Sequence, residues 1–132
     1  MAKVSSAILN VGKTDVAKIL NNASPTGSHY IAMGVGNIGT TASAAQTDLV
    51  GTGTNVKYSN ATCTYSASYK AKWQHTWSYT DLSGHIFKEL VICIATNSHA
   101  SASLLRATYN TETLGSGDTL QLNVTCEVQQ GS

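Results

Sequence analysis

The stretch TCTYSASYKAKWQHTWSYT, Thr62 to Thr80, alternates without a break: odd positions are Cys, Tyr, Ala, Trp or His, and even positions are Thr, Ser, Lys or Gln. Period two over such a length specifies β-sheet with one apolar and one hydroxylated face. As a single strand it would span roughly 63 Å at ~3.3 Å per residue, against a usual strand of about 5–6 residues. The run must therefore bend from one sheet into another, or turn back on itself. Residues that face each other across a hairpin share a sheet face, and the apolar set stays on odd numbers throughout. A turn here must then contain an odd number of residues, with a bulge, and it falls most readily near YKAKW, where Lys70 and Lys72 interrupt the hydroxyl run. Two strands are predicted, Ala61 to Lys70 and Trp73 to Tyr79. One long bent strand is the alternative.

The remaining segments read as mostly β. Val4 to Leu9 is a short extended lead-in, and KTDVAKILNN predicts one helix, with Thr14 as N-cap, Asp15 in its first turn, Val16, Ile19 and Leu20 on one side, and Asn22 as its stop. Pro25 and Gly27 mark a turn before a strand from His29 to about Val35. The Gly-, Thr- and Ala-rich GNIGTTASAAQTDLVGTGTN reads as a long surface excursion, with an anchor at Thr47, Asp48 and Leu49. IFKELVICIA loses the alternation because both faces are apolar, as in a central strand or one touching a neighbouring subunit. Turns at TDLSGH, NSHAS and LGSGD frame ASLLRATYN and a last strand in which Leu120, Leu122, Val124, Cys126 and Val128 alternate with polar residues. The expectation is an all-β domain with one short N-terminal helix: an antiparallel, jelly-roll-like β-sandwich of about seven strands. A chain of 132 residues is about one domain. Residues 1–28 form its arm and helix, and 29–132 the sandwich.

Composition narrows the function. Charged residues are 11% of the chain, with eight Lys and Arg against seven Asp and Glu. Binding to nucleic acid through phosphates draws on a basic excess that this chain lacks. No apolar core of a signal peptide follows the first residues, and no run approaches the ~20 apolar residues of a membrane span. A soluble product made in the cytoplasm is expected. Cys63, Cys93 and Cys126 show no metal-ligand spacing; each falls on the apolar face of a predicted strand, as small buried hydrophobes or as a bridge between neighbouring strands.

Chemistry-bearing residues are sparse. His29, His75, His85 and His99 have no partner at metal or triad spacing. GVGNIG, Gly34 to Gly39, matches a dinucleotide-binding fingerprint but lacks the helix, the βαβ unit and the later acidic residue that the fingerprint needs. Trp73, Trp77 and Tyr79 could stack on a sugar or a base. Parity separates them from Lys70 and Lys72, which favours core or subunit contact for the rings. Glu89 and Arg106 stand out, each a charge inside an apolar strand, where an ionised group needs a partner. They are predicted to pair across neighbouring strands.

The order of these segments resembles a group of small tailed-virus virion proteins that includes the N-terminal domain of phage tail-collar fibre proteins. Ile31, Ala32, Gly34 and Gly36 match its first strand motif, Thr47 and Leu49 its loop anchor, and Glu89 the acidic residue that opens a buried strand. Leu104, Leu105 and Arg106 match the strand that follows, and Gly117, Asp118, Thr119 and Leu120 the turn before the last strand. Leu90 replaces the family's glycine, VGTGT replaces the acidic residue after the anchor, and the fibre shaft does not follow. The resemblance implies a non-enzymatic building block with no cofactor or metal. Such a block assembles with itself, as in a trimer, and with major capsid or tail proteins in a virion. Two positions on the particle are open, capsid decoration or cement, and a tail, baseplate or fibre-attachment component. A carbohydrate-binding module using Trp73, Trp77 and the tyrosines as a stacking platform is a third reading from another class.

Overall fold

The computed structural model describes residues 3–20, 30–52, 55–67, 69–82, 86–94 and 103–129. Among them lie eight strands: β1 (Lys3–Ile8), β2 (Ala32–Gly36), β3 (Lys57–Asn60), β4 (Thr62–Ala67), β5 (Lys70–Ser78), β6 (Ile86–Cys93), β7 (Leu105–Thr113) and β8 (Thr119–Glu127). Two helical segments join them, α1 (Asn10–Leu20) and the single turn α2 (Tyr79–Leu82). The protein is mostly antiparallel β, with one sheet in the order β1-β7-β6-β2-β3 and a second in the order β4-β5-β8. One apolar core joins them: Met33, Val35, Leu90, Ile92 and Leu105 from the first sheet meet Trp73, Trp77, Leu122 and Val124 from the second. Among the described residues no helix is long and apolar enough to cross a membrane.

The alternating run is a hairpin. Thr62 faces Gln74 and Tyr65 faces Ala71, so odd meets odd, and an extra residue between Tyr65 and Ala67 shifts the register before Ala67 meets Lys70. The bulge supplies the parity change that a short turn would otherwise violate. The turn lies a few residues earlier than YKAKW suggested and holds Tyr69 at φ 67°. The change of sheet occurs just upstream: β3 belongs to the five-stranded sheet, β4 to the three-stranded one, and Ala61 between them donates its N–H to the Ile31 carbonyl at 2.8 Å. β3 is the strand that the periodicity did not announce.

β6 has neighbours on both edges and cover on both faces, which is why its sequence does not alternate. Leu90 and Ile92 enter the shared core, while Val91 and Cys93 pack with Ala32 and Leu49 on the opposite side.

The helix begins earlier than Thr14, with Asn10 donating its N–H to the Ala44 carbonyl at 2.8 Å. Its seated face is Gly12 and Asp15 rather than Val16 and Leu20, which are exposed. A Cβ on Gly12 would lie 2.7 Å from the Leu104 Cα, so the glycine lets α1 lie directly on the chain entering β7. Glycine inside a helix costs about 1 kcal/mol, which makes it read as a boundary. The expected stop at Asn22, the turns at Pro25–Gly27 and NSHAS, the end of TDLSGH, and His29, His85 and His99 lie outside the described residues.

Candidate functional site

Glu89 on β6 sits opposite Thr108, and Arg106 on β7 opposite Val91, so the two are diagonal neighbours on one sheet face. Both are fully buried. Arg106 Nε lies 2.9 Å and Nη2 2.8 Å from Glu89 Oε2. The rest of the guanidinium is used on the excursion after β2: Nη1 donates to the Thr40 carbonyl at 2.7 Å and to Gln46 Oε1 at 3.3 Å, and Nη2 to the Ile38 carbonyl at 3.0 Å. Glu89 in turn accepts the Val50 N–H at 3.0 Å and the Gly51 N–H at 2.8 Å. Removing two charges from water is costly, and the cost is offset only when geometry is good and remaining donors and acceptors are met. Here the loop backbone meets them, so the pair and the loop hold each other.

Glycines admit this contact. A Cβ on Gly36 would lie 2.5 Å from Glu89 Oε1, and one on Gly51 2.9 Å from the same atom. A Cβ on Gly34 would lie 2.6 Å from the Tyr58 ring. Gly34 and Gly36 of GVGNIG thus make room for side chains.

A second polar knot fixes the far end of the loop. Buried Asp48 accepts the Tyr58 hydroxyl at 3.1 Å and the Ser103 hydroxyl at 3.2 Å, while the Ser103 N–H donates to the Thr47 carbonyl. Burial first, then the Asp48 charge and hydrogen bond, push the Tyr58 phenol well above its usual range. Asp15 and Tyr30 repeat the arrangement at α1, with the hydroxyl 3.1 Å from the carboxylate and the phenol again raised, by burial and then by Asp15. On β1, Ser5 bonds to the Thr108 hydroxyl and accepts the Ala42 N–H. Sequence reasoning missed Asp15, Ser5, Ser103 and the Asp48–Tyr58 contact. Asp48 alone carried a signal, through its place in the loop anchor beside buried Leu49.

The aromatic residues do not form a platform. Trp73 and Trp77 are only 6% and 3% exposed, with Trp73 Nε1 donating to the Tyr30 carbonyl at 2.7 Å and Trp77 edge-on to His75. Both rings serve the core, one of the two roles favoured for them, and not a stacking surface; Tyr79 lies apart in α2, partly exposed. Asp118 is in the turn before β8, where it accepts the Gly115 N–H at 2.9 Å and Gly117 takes φ 85°.

No disulfide joins any of the three cysteines. Cys93 is buried and Cys126 half-buried, but Cys63 is exposed, against the expectation of three buried thiols. β5 separates Cys63 on β4 from Cys126 on β8, and Cys93 is in the other sheet, so no two lie on neighbouring strands.

Chemically, this arrangement holds chain together. The Glu89 oxygens and the Arg106 donors are consumed by each other, by backbone and by the Gln46 side chain, and both residues are fully buried. Among the described residues no three His, Cys, Asp or Glu side chains gather as metal ligands. Comparison with protein-family models, with curated proteins and with solved structures gives no match.

Proposed function

We propose that this protein is a non-enzymatic structural protein of a tailed-virus particle, assembling in multiple copies as a decoration or cement protein on the capsid. In this reading it is a single jelly-roll-like β-sandwich, made in the host cytoplasm and resident in the virion, with itself and the major capsid protein as partners. One observation carries it: positions from the first strand motif, the loop anchor and the two later strands of the virion-protein resemblance converge in space. Gly36, Glu89 and Arg106 meet in the buried knot, Leu49 anchors the same loop beside them, and Gly34 admits the Tyr58 ring that binds Asp48. Motifs scattered over the chain are thus parts of one device that stiffens a loop on the sheet face. A rigid, weakly charged surface suits packing against neighbours.

The tail, baseplate or fibre-attachment position rests on the likeness to tail-collar domains and differs only in the partner. A carbohydrate module is disfavoured by the burial of Trp73 and Trp77. The test is co-sedimentation of purified protein with undecorated capsids and, separately, with isolated tails. Capsid binding that saturates at a fixed number of copies is the expected result. Binding to tails alone moves the protein to the second position, and binding to neither overturns both.

A further inference from the structure

We propose that the uncovered end of the three-stranded sheet is the surface on which a second copy of this chain docks, which deepens the assembly reading above. Tyr65, Ala71 and Cys126 lie side by side across β4, β5 and β8, on the face that further along carries Trp73 and Val124 into the core. At this end Cys126 still packs half-buried against the core, while Tyr65 and Ala71 are left exposed. Tyr65 is 77% exposed and Val128, just past β8, 75%. The Val128 N–H donates to the Tyr69 carbonyl at 2.8 Å, which ties the hairpin turn into the same ledge. Tyr69 keeps a left-handed backbone, where a bulky residue is unusual, with its ring 72% exposed. Beside the ledge a groove of ≈ 370 Å³ opens between β1 and β7 on one side and β8 on the other.

Charge and area both point to a second copy. Tyr65, Tyr69, Ala71, Cys126 and Val128 include no charge, so two identical ledges meet without repulsion. The groove rim carries Lys3 and Glu127, one of each sign, and a patch that docks on itself about a two-fold axis then offers each its opposite. The other three edge strands each carry a charge, Lys3, Lys57 or Glu127, whereas the described β4 edge has no charge and no proline to keep another strand away. An aromatic side chain buries about 150–250 Å². With two tyrosines and a valine per copy, the pair covers on the order of 1,000 Å² in total, the lower bound of a specific interface.

The test is sedimentation velocity over the micromolar range on the wild type, on Tyr65→Asp/Val128→Asp, and on the neutral Tyr65→Ser/Val128→Ser. Circular dichroism serves as the fold check. The expected result is a wild-type dimer or multiple, association weakened at least tenfold by the serine pair, and a monomer of 13.8 kDa for the aspartate pair. A wild type that stays monomeric throughout overturns the proposal, as do folded variants that keep the wild-type mass. Particle binding, read separately, distinguishes the two readings. A monomer that binds capsids sinks this interface and leaves the virion function standing; assembly lost with the ledge in a protein that binds no particle supports the interface and sinks the virion function.

Discussion

Arg106 is the residue on which most local structure depends, because its loss strands Glu89 in the interior and frees two loop carbonyls at once. Breaking one side of a buried pair costs about 3–5 kcal/mol. Arg106→Met and Glu89→Gln should each lower the unfolding free energy by that amount, read as a lower urea midpoint at unchanged slope. A loss below about 1 kcal/mol would mean the loop finds other partners. Gly36→Ala forces a methyl against Glu89 Oε1 and should cost about 1–3 kcal/mol. Gly39→Ala is its control, since a Cβ there meets only the flexible Lys88 side chain at 3.4 Å. The ion pair was legible in sequence because charges inside apolar strands need partners. Its backbone acceptors at Ile38 and Thr40 were not, since a carbonyl leaves no mark on residue identity. Asp48 and Tyr58 escaped for a related reason: polar residues in polar segments look solvated until topology buries them.

Elements were legible where one face is buried and the other wet, as in β5 and β8. They were illegible where contacts beyond the element decide, as in α1, whose start depends on the fit of Gly12 to Leu104, and in β3, a short strand held by pairing with β2. The hairpin turn offers a test of local strain. Tyr69 at φ 67° has a conformation that disfavours an L side chain by about 1–2 kcal/mol, and Asn tolerates it better. Tyr69→Asn should therefore raise stability by about 1 kcal/mol in thermal or urea unfolding of the monomer, even as it removes a ring from the ledge. Two half-buried tyrosines, Tyr30 and Tyr58, fix the behaviour of α1 and the loop in alkali. Tyr30 and Tyr58 hold their protons to higher pH when folded, whereas in the unfolded chain they ionise near the usual value of about 10. Above that pH the unfolded state binds fewer protons than the native state, so stability must fall as pH rises. Urea midpoints should be level to about pH 8, ease as the thiols that burial raises at Cys126 and Cys63 ionise in the unfolded chain, and drop further beyond about pH 10. Tyr58→Phe, weaker at neutral pH by about 1 kcal/mol for the lost hydrogen bond, should show a shallower alkaline decline.

At the scale of the molecule, the shared core and the uncovered ledge predict different things from the same apolar residues. Trp73 and Trp77 lie within the core, so their fluorescence should resist quenching by acrylamide and should not respond to glycans. A response to any sugar would restore the carbohydrate reading. Association, by contrast, should proceed through a surface with almost no charge on a chain whose net charge is +1. Salt weakens contacts between exposed charges by screening, and weakens phosphate binding steeply through counterion release, but acts little on apolar packing. Raising sodium chloride from about 0.1 to 0.5 M should change self-association by less than threefold, the Lys3 and Glu127 contacts giving the small decline. A tenfold or greater loss would mean that charged residues, rather than the apolar ledge, carry the contact.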